Sequence, residues 1–245
     1  MRKRRNGNEK KTITGEKVMS IIFDSDETSE HEENEERNSG RNVLQFWSGG
    51  ADSTYLFLQN LLCGHKVTAT YVNIINNRTK STREKTARKL LQKDIDKFCK
   101  YFHCQQPIYL PDHGIAVSGE TFGLCPAPQQ IIFAMFCLLI GKTYDDITLG
   151  VVNGDSMQGS TLNKDFLAVY KKSFFGVFPD ITYPIESVSK ETIYLALQGY
   201  DRTLGTNFLK HITVCESIDK PCGKVKKCLP CQTQNDVFKR LKWVK

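Results

Sequence analysis

The chain has 245 residues, 40% hydrophobic, 10% aromatic and 25% charged, with 34 Lys and Arg against 27 Asp and Glu for a formal charge of +7, and nine cysteines. These are the proportions of a globular protein that buries its own core, which excludes a scaffold dependent on disulfide or metal staples throughout. No run approaches the ~18 apolar residues that cross a bilayer, and Met1-Arg2-Lys3-Arg4-Arg5 is followed by polar residues instead of a signal peptide's apolar stretch, so a cytoplasmic protein is expected.

Residues 1–40 carry eight basic and ten acidic residues, eight of the acids between Asp24 and Glu36, around one apolar spot, Val18 to Phe23. Such a segment buries too little apolar surface to offset its ordering entropy and reads as a disordered charged tail, either bland or an interaction arm. At residue 41 the composition changes. Val43-Leu44-Gln45-Phe46-Trp47 is a short apolar run that predicts a buried strand, and Asp52 to Leu62 predicts a helix. Lys66 to Ile75 is a second strand candidate. Thr82 to Phe102 is helical, with Ala87, Leu90, Leu91, Ile95, Phe98 and Phe102 recurring every three or four residues. Pro107 to Leu110 predicts a brief strand, Ala127 to Leu139 a buried helix, and Asp146 to Val152 a strand ending at Asn153-Gly154-Asp155. Lys164 to Lys172 and Ser189 to Gln198 predict helices, the latter with Ser189 as N-cap. Alternating strands and helices imply an α/β fold, doubly wound, with a mostly parallel sheet and helices on both faces.

The stretch Ser48-Gly49-Gly50-Ala51-Asp52-Ser53-Thr54 lies directly after a predicted strand and opens a predicted helix. Its glycines allow a tight turn and close approach of a ligand, so backbone amides and the positive helix end converge on one spot. Ser48 and Ser53 add hydroxyls. Asp52 would repel a phosphate unless a divalent cation lay between them, which points to magnesium. A second phosphate-loop candidate fails: Gly141-Lys142-Thr143 has Phe136 where a Walker loop needs glycine, and it ends a predicted helix instead of opening one.

Cys215, Cys222, Cys228 and Cys231 form a C-x6-C-x5-C-x2-C pattern. In a reducing compartment such a cluster reads first as a metal site, and the tight closing pair suits zinc; an iron–sulfur cluster or unrelated cysteines are the alternatives. Four thiolates leave no open coordination position, so the zinc would be structural. The remaining cysteines, Cys63, Cys99, Cys104, Cys125 and Cys137, fall mostly in apolar surroundings and read as packing, with Cys125 alone also considered as a nucleophile.

A Ser-Gly-Gly-Ala-Asp-Ser loop resembles the pyrophosphatase loop of the N-type ATP pyrophosphatases, which cleave ATP between its α and β phosphates and transfer AMP to a substrate oxygen. Combined with the terminal four-cysteine cluster, Gly150-Val151 with Asp155, and Pro184 followed by Lys190, it resembles 7-cyano-7-deazaguanine synthase of the queuosine pathway over most of residues 43–240. The resemblance implies three segments: the tail 1–40, an ATP pyrophosphatase-type domain over 41–210, and a zinc-binding extension over 211–245 packed on it. It further implies that Ser48, Gly49, Gly50, Asp52, Ser53 and Thr54 hold ATP and magnesium. Lys190 would offset charge on phosphate oxygens, or be no more than a solvated helix-start residue. Gln129, Asn153 and Asp155 would meet a small-molecule 7-deazaguanine substrate, and the four cysteines would hold zinc. Ammonia or another amine would be the second substrate, and a homodimer the assembly.

The chain departs from that family around the acceptor. The family's Pro-Gly-Arg-Asn reads Pro126-Ala127-Pro128-Gln129-Gln130, its Tyr-Pro-Asp-Cys-Arg reads Gly159-Ser160-Thr161-Leu162-Asn163, and the arginine after the last cysteine is replaced within Gln232-Thr233-Gln234. Lost arginines remove bidentate anion contacts. Some members of the wider family occur with antiviral defence genes and join a deazaguanine acid to an amine, on a protein partner in some readings, and such a divergence fits that pattern. A third class, a zinc-containing nucleic-acid module, draws on the last 26 residues, where eight basic residues face one acid, Asp236. A zinc ion with four thiolates adds −2 that these lysines would balance, and stacking aromatics are scarce there, so nucleic acid is disfavoured.

Overall fold

The computed structural model describes residues 40–74, 78–115, 143–152, 179–215, 222 and 228–243. Its central element is β1, Asn42–Phe46. The chain then enters α1, Ala51–Leu62, and returns through β2, Lys66–Thr70. A short β3, Val72–Ile74, precedes the long α2, Arg78–Phe102. Strands β4 (Ile108–Tyr109), β5 (His113–Ile115), β6 (Asp146–Leu149) and β7 (Asp180–Thr182) follow, and then helices α3 (Lys190–Leu204), α4 (Phe208–His211) and α5 (Leu229–Arg240).

The main sheet has the order β4-β2-β1-β6-β7, with every pairing parallel. The strand order reverses between β1 and β6: from β1 the chain works outward through β2 and β4, and it later restarts on the other side with β6 and β7. In open parallel sheets a ligand crevice forms at such a reversal, outside the carboxyl ends of the strands. Strands β3 and β5 form a separate parallel pair. The single strand expected over Lys66 to Ile75 is thus two, broken at Tyr71. There the phenol donates to Glu84 of α2, and the Arg88 guanidinium stacks on the ring 3.5 Å from its centroid.

Alternation along β1 decides what faces which layer. Leu44 and Phe46 join Ile147, Leu149 and Tyr183 in one buried cluster. On the opposite face, Val67 and Ala69 join Trp47, the inner faces of α1, α2 and α3, Phe208 and Val237 in the larger cluster. Helices are described on this larger face; those expected over 127–139 and 164–172 lie outside the described residues.

Gln45 faces α1 from the middle of the apolar run. Its amide donates to the Ser53 carbonyl at 2.7 Å, and Asn60 Nδ2 donates to Gln45 Oε1 at 2.9 Å and to Thr148 Oγ1 at 3.2 Å. All of these side chains are buried, so the network fixes the register of α1 on β1 and β6 through bonds that cannot be exchanged for water. Helix α4 is capped by Asp201, whose carboxylate accepts from the Phe208 and Leu209 amides, and His211 meets Asp94 of α2 at 2.6 Å. Cys99 is buried in the core and Cys104 packs against it, as expected; Cys63, at the C-terminal end of α1, is exposed instead. Cys125 and Cys137 lie outside the described residues.

Candidate functional site

The loop between β1 and α1 is anchored from below. Trp47 donates its backbone N–H to the Thr70 carbonyl at 2.9 Å and its indole N–H to Thr54 Oγ1 at 3.1 Å, and its ring packs against Phe57 and Tyr109. Thr54 is fully buried, and its N–H donates to the Gly50 carbonyl. Both of its polar groups therefore serve the scaffold beneath the loop.

Above this base the loop closes on itself. The Gly50 N–H donates to Ser48 Oγ at 3.2 Å, the two serine hydroxyls of Ser48 and Ser53 lie 3.1 Å apart, and Ser53 Oγ donates to the Gly50 carbonyl. Gly49 has φ of +80°, a conformation that requires glycine, and a Cβ there would also press on Arg88 Cγ at 3.2 Å and Ala87 Cβ at 3.3 Å. Gly150, at the end of β6, is required for space alone: a Cβ would sit 2.8 Å from Ser53 N and Cα. The carboxyl end of β6 thus passes directly against the first turn of α1, whose amides have no partner within the helix.

Lys190 comes to this turn from 138 residues away and pairs with Asp52. Both side chains are about one-fifth exposed. Lys190 opens α3, where Ser189 Oγ accepts from the Thr192 N–H at 3.1 Å as the expected N-cap. A cation in a helix's first turn is opposed by the helix dipole, whereas Asp52 in the first turn of α1 is favoured. The ion pair therefore places Lys190 where local helix energetics disfavour it, at the point where two helix N-termini meet. The described residues offer an anion amides, hydroxyls and an ammonium, and the Asp52 carboxylate accommodates a cation, as the Lys190 ammonium demonstrates.

The second cluster is the cysteines. The sulfurs of Cys215, Cys222, Cys228 and Cys231 all lie within 4.8 Å of one another, with Cys215 and Cys222 3.5 Å apart. A tetrahedral ion with ~2.3 Å bonds to sulfur requires separations of about 3.8 Å, so the donors fit zinc, and all four cysteines are free thiols. The Cys228 amide, donating to Cys222 Sγ at 3.1 Å, draws that thiol's pKa down, but burial and the neighbouring sulfurs carry it above the ordinary value. Burial, then the sulfurs of Cys228 and Cys215, push Cys231 up strongly. Four thiols this close resist ionising together unless a cation joins them.

Cys228 is the N-cap of α5 and Pro230 lies in its first turn. This helix is held because Val237 enters the main core and Phe238 packs edge-on against Tyr194 of α3. Two further contributors carry no motif. Thr213 donates its N–H to the Gly49 carbonyl at 2.9 Å, and Arg83 Nη2 donates to the Cys215 carbonyl at 3.1 Å. Arg83 shows in sequence only as one more charge on an amphipathic helix. Gln129, Asn153 and Asp155 lie outside the described residues, although Asn153 directly follows the segment that leaves β6 beside the loop.

No protein-family model matches the chain, and no curated protein matches it. Among solved structures it is similar to an NMN synthetase from Francisella tularensis, at 11% identity and a TM-score of 0.41, covering 94% of this chain and 85% of that one. It is also similar to a predicted subunit of tRNA methyltransferase from Methanocaldococcus jannaschii, at 13% identity and a TM-score of 0.36, covering 64% of this chain and 74% of that one. No helix among the described residues is long and apolar enough to cross a membrane.

Proposed function

We propose that the protein is an ATP-dependent enzyme that adenylates the carboxylate of a 7-deazaguanine and passes the activated acyl group to ammonia, giving 7-amido- or 7-cyano-7-deazaguanine. The observation that carries this reading is the meeting of Asp52 and Lys190 at the serine–glycine loop, on the carboxyl edge of the sheet where its strand order reverses. The sequence resemblance supplies the acceptor and the order of steps.

In that order a carboxylate oxygen attacks the α-phosphorus, the bond from the α-phosphorus to the α–β bridging oxygen breaks, and pyrophosphate leaves. Ammonia attacks the acyl carbon, and AMP departs with the carboxylate oxygen, leaving the amide. A second ATP is attacked at its α-phosphorus by the amide oxygen, pyrophosphate leaves, and AMP then departs with that oxygen while the nitrogen gives up its protons, giving the nitrile. Ser48, Ser53 and the amides of Gly49, Gly50 and the first turn of α1 hold the phosphates, and Lys190 stabilises charge that grows on them in the transition state. Asp52 would hold magnesium, which screens the phosphate charge when it binds with the nucleotide. Gln129, Asn153 and Asp155 are assigned to the acceptor by the resemblance alone. The four-thiolate zinc is structural.

The missing acceptor arginines favour a second reading, in which adenylation is retained and another amine, on a protein partner for example, replaces ammonia. One incubation separates the two: full-length protein, ATP, magnesium and 7-carboxy-7-deazaguanine, with ammonium or with candidate amines, followed by mass spectrometry. AMP together with amide or nitrile supports the first reading. AMP that appears only with a larger amine or protein supports the second, and no AMP under any condition contradicts both.

A further inference from the structure

The segment that joins the cysteine cluster to the rest of the fold runs past the phosphate loop. Ile212 ends α4 in an extended conformation, φ −61° and ψ 146°, and aims the chain at the loop. The next residue, Thr213, donates its N–H to the Gly49 carbonyl at 2.9 Å, and its own carbonyl lies 3.4 Å from where a Cβ on Gly50 would stand. Thr213 therefore borders both glycines. Two residues later comes Cys215, whose carbonyl accepts from Arg83 of α2, the helix whose Ala87–Arg88 turn closes on Gly49 from the other side.

The far side of the cluster leads to the same place. Cys228 and Cys231 begin α5, Phe238 of α5 packs on Tyr194 of α3, and Arg240 pairs with Glu191. Glu191 is the neighbour of Lys190, which pairs with Asp52. The four sulfurs thus stand where two chain segments meet, one ending on Gly49 and the other on the helix that presents Lys190. Their mutual placement depends on what holds four sulfurs within 4.8 Å of one another.

We propose that metal occupancy of the cysteine cluster sets the nucleotide affinity of the Ser48–Ser53 loop, with Thr213 and Arg83 as the positioning residues that transmit it. The inference rests on the reading that this loop binds a nucleotide, and it goes beyond a structural role for the zinc. With the metal bound, residues 213–215 are anchored at both ends and the Thr213 N–H fixes the Gly49 carbonyl, which holds the neighbouring amides in their ligand-binding orientation. With the metal removed, one anchor is lost and the loop must order itself on binding. Coupling between two binding sites is reciprocal, so the nucleotide tightens the metal by the same factor.

The test uses full-length protein, zinc-loaded or chelator-stripped, and α,β-methylene ATP with magnesium as the probe, its affinity measured by calorimetry. Zinc transfer to a colorimetric chelator is followed with and without the same probe. The Thr213→Pro variant removes the N–H at a position whose preceding residue already has the extended backbone that proline demands; Thr213→Ala keeps it. Loaded protein should bind the probe about tenfold more tightly than stripped protein, and the probe should retard zinc release. The proline variant, loaded with cobalt, should show intact cobalt–thiolate absorption yet bind the probe about as weakly as stripped wild type, while the alanine variant behaves as wild type. Equal affinity in loaded and stripped protein overturns the proposal. If stripping unfolds the chain, the loaded proline variant decides alone, and undiminished affinity there overturns it. Failure of loaded wild type to bind the probe at all overturns the nucleotide reading itself, and this inference with it.

Discussion

The Ser48–Ser53 loop, which Lys190 joins from 138 residues away, and the cysteine cluster, which spans Cys215 to Cys231, are held in different ways. The loop rests on the most buried part of the molecule: Gln45, Asn60 and Thr148 bond α1 to the sheet, and Trp47 locks the strand end. Its serines and glycines are bonded to one another above those anchors. The cluster has only partly buried cysteines, with the Cys231 thiol pushed up by burial and by the sulfurs beside it, and a core contact from α5 that begins at Val237. On the proposed reading, a preorganised anion loop thus sits beside a site whose order an ion would supply. Preorganisation is what electrostatic catalysis needs, because donors already in place require no rearrangement during the reaction.

The largest way to sharpen that contrast is to remove the metal. Structural zinc contributes on the order of 10 kcal/mol of apparent binding free energy in small domains. Chelation should therefore expose α5 to proteolysis and shift the Trp243 signal, while the sheet keeps its far-ultraviolet spectrum; simultaneous loss of both would show the two regions to be one cooperative unit. Within the loop, Lys190→Ala should lower AMP formation roughly 10²- to 10³-fold with the melting temperature nearly unchanged, as for other groups that stabilise transition-state charge. A large stability loss with a proportionate rate would instead make the Asp52 pair structural. Gln45→Leu should cost about 1–3 kcal/mol in denaturant unfolding, because the Ser53 carbonyl and the Asn60 amide lose a buried partner. Ser189→Ala should cost about 1 kcal/mol by uncapping α3, and should loosen Lys190 enough to be visible in the rate.

The same contrast explains what the sequence could convey. Ser48 to Ser53 was legible as a tight loop because its residue types call for one: a glycine where a positive φ demands it, and hydroxyls that bond across the turn. The four cysteines were legible for the same reason, and Ser189 was readable as a cap. Gln45 was not: placed within an apolar run, it reads as a minor break in a strand, and only the facing Asn60 and the Ser53 carbonyl give it a role. The break at Tyr71 was hidden because β-branched and aromatic residues continue through it, and the side chains of Glu84 and Arg88 decide the turn. Strands β5 and β7 are three residues each, too short for alternation to register, and exist through their pairing with β3 and β6. Thr213 left no trace because the group that matters is its backbone N–H, which nearly every residue type carries.

The central claim, that the loop directs attack of a carboxylate on the α-phosphorus of ATP, is tested most directly by oxygen tracing. The protein is given 7-carboxy-7-deazaguanine labelled with oxygen-18 in both carboxylate positions, together with unlabelled ATP, magnesium and ammonium, and the nucleotide products are resolved by mass. Adenylation predicts AMP carrying one labelled oxygen, with pyrophosphate unlabelled. ADP with labelled inorganic phosphate would mean attack at the γ-phosphorus and would contradict the account.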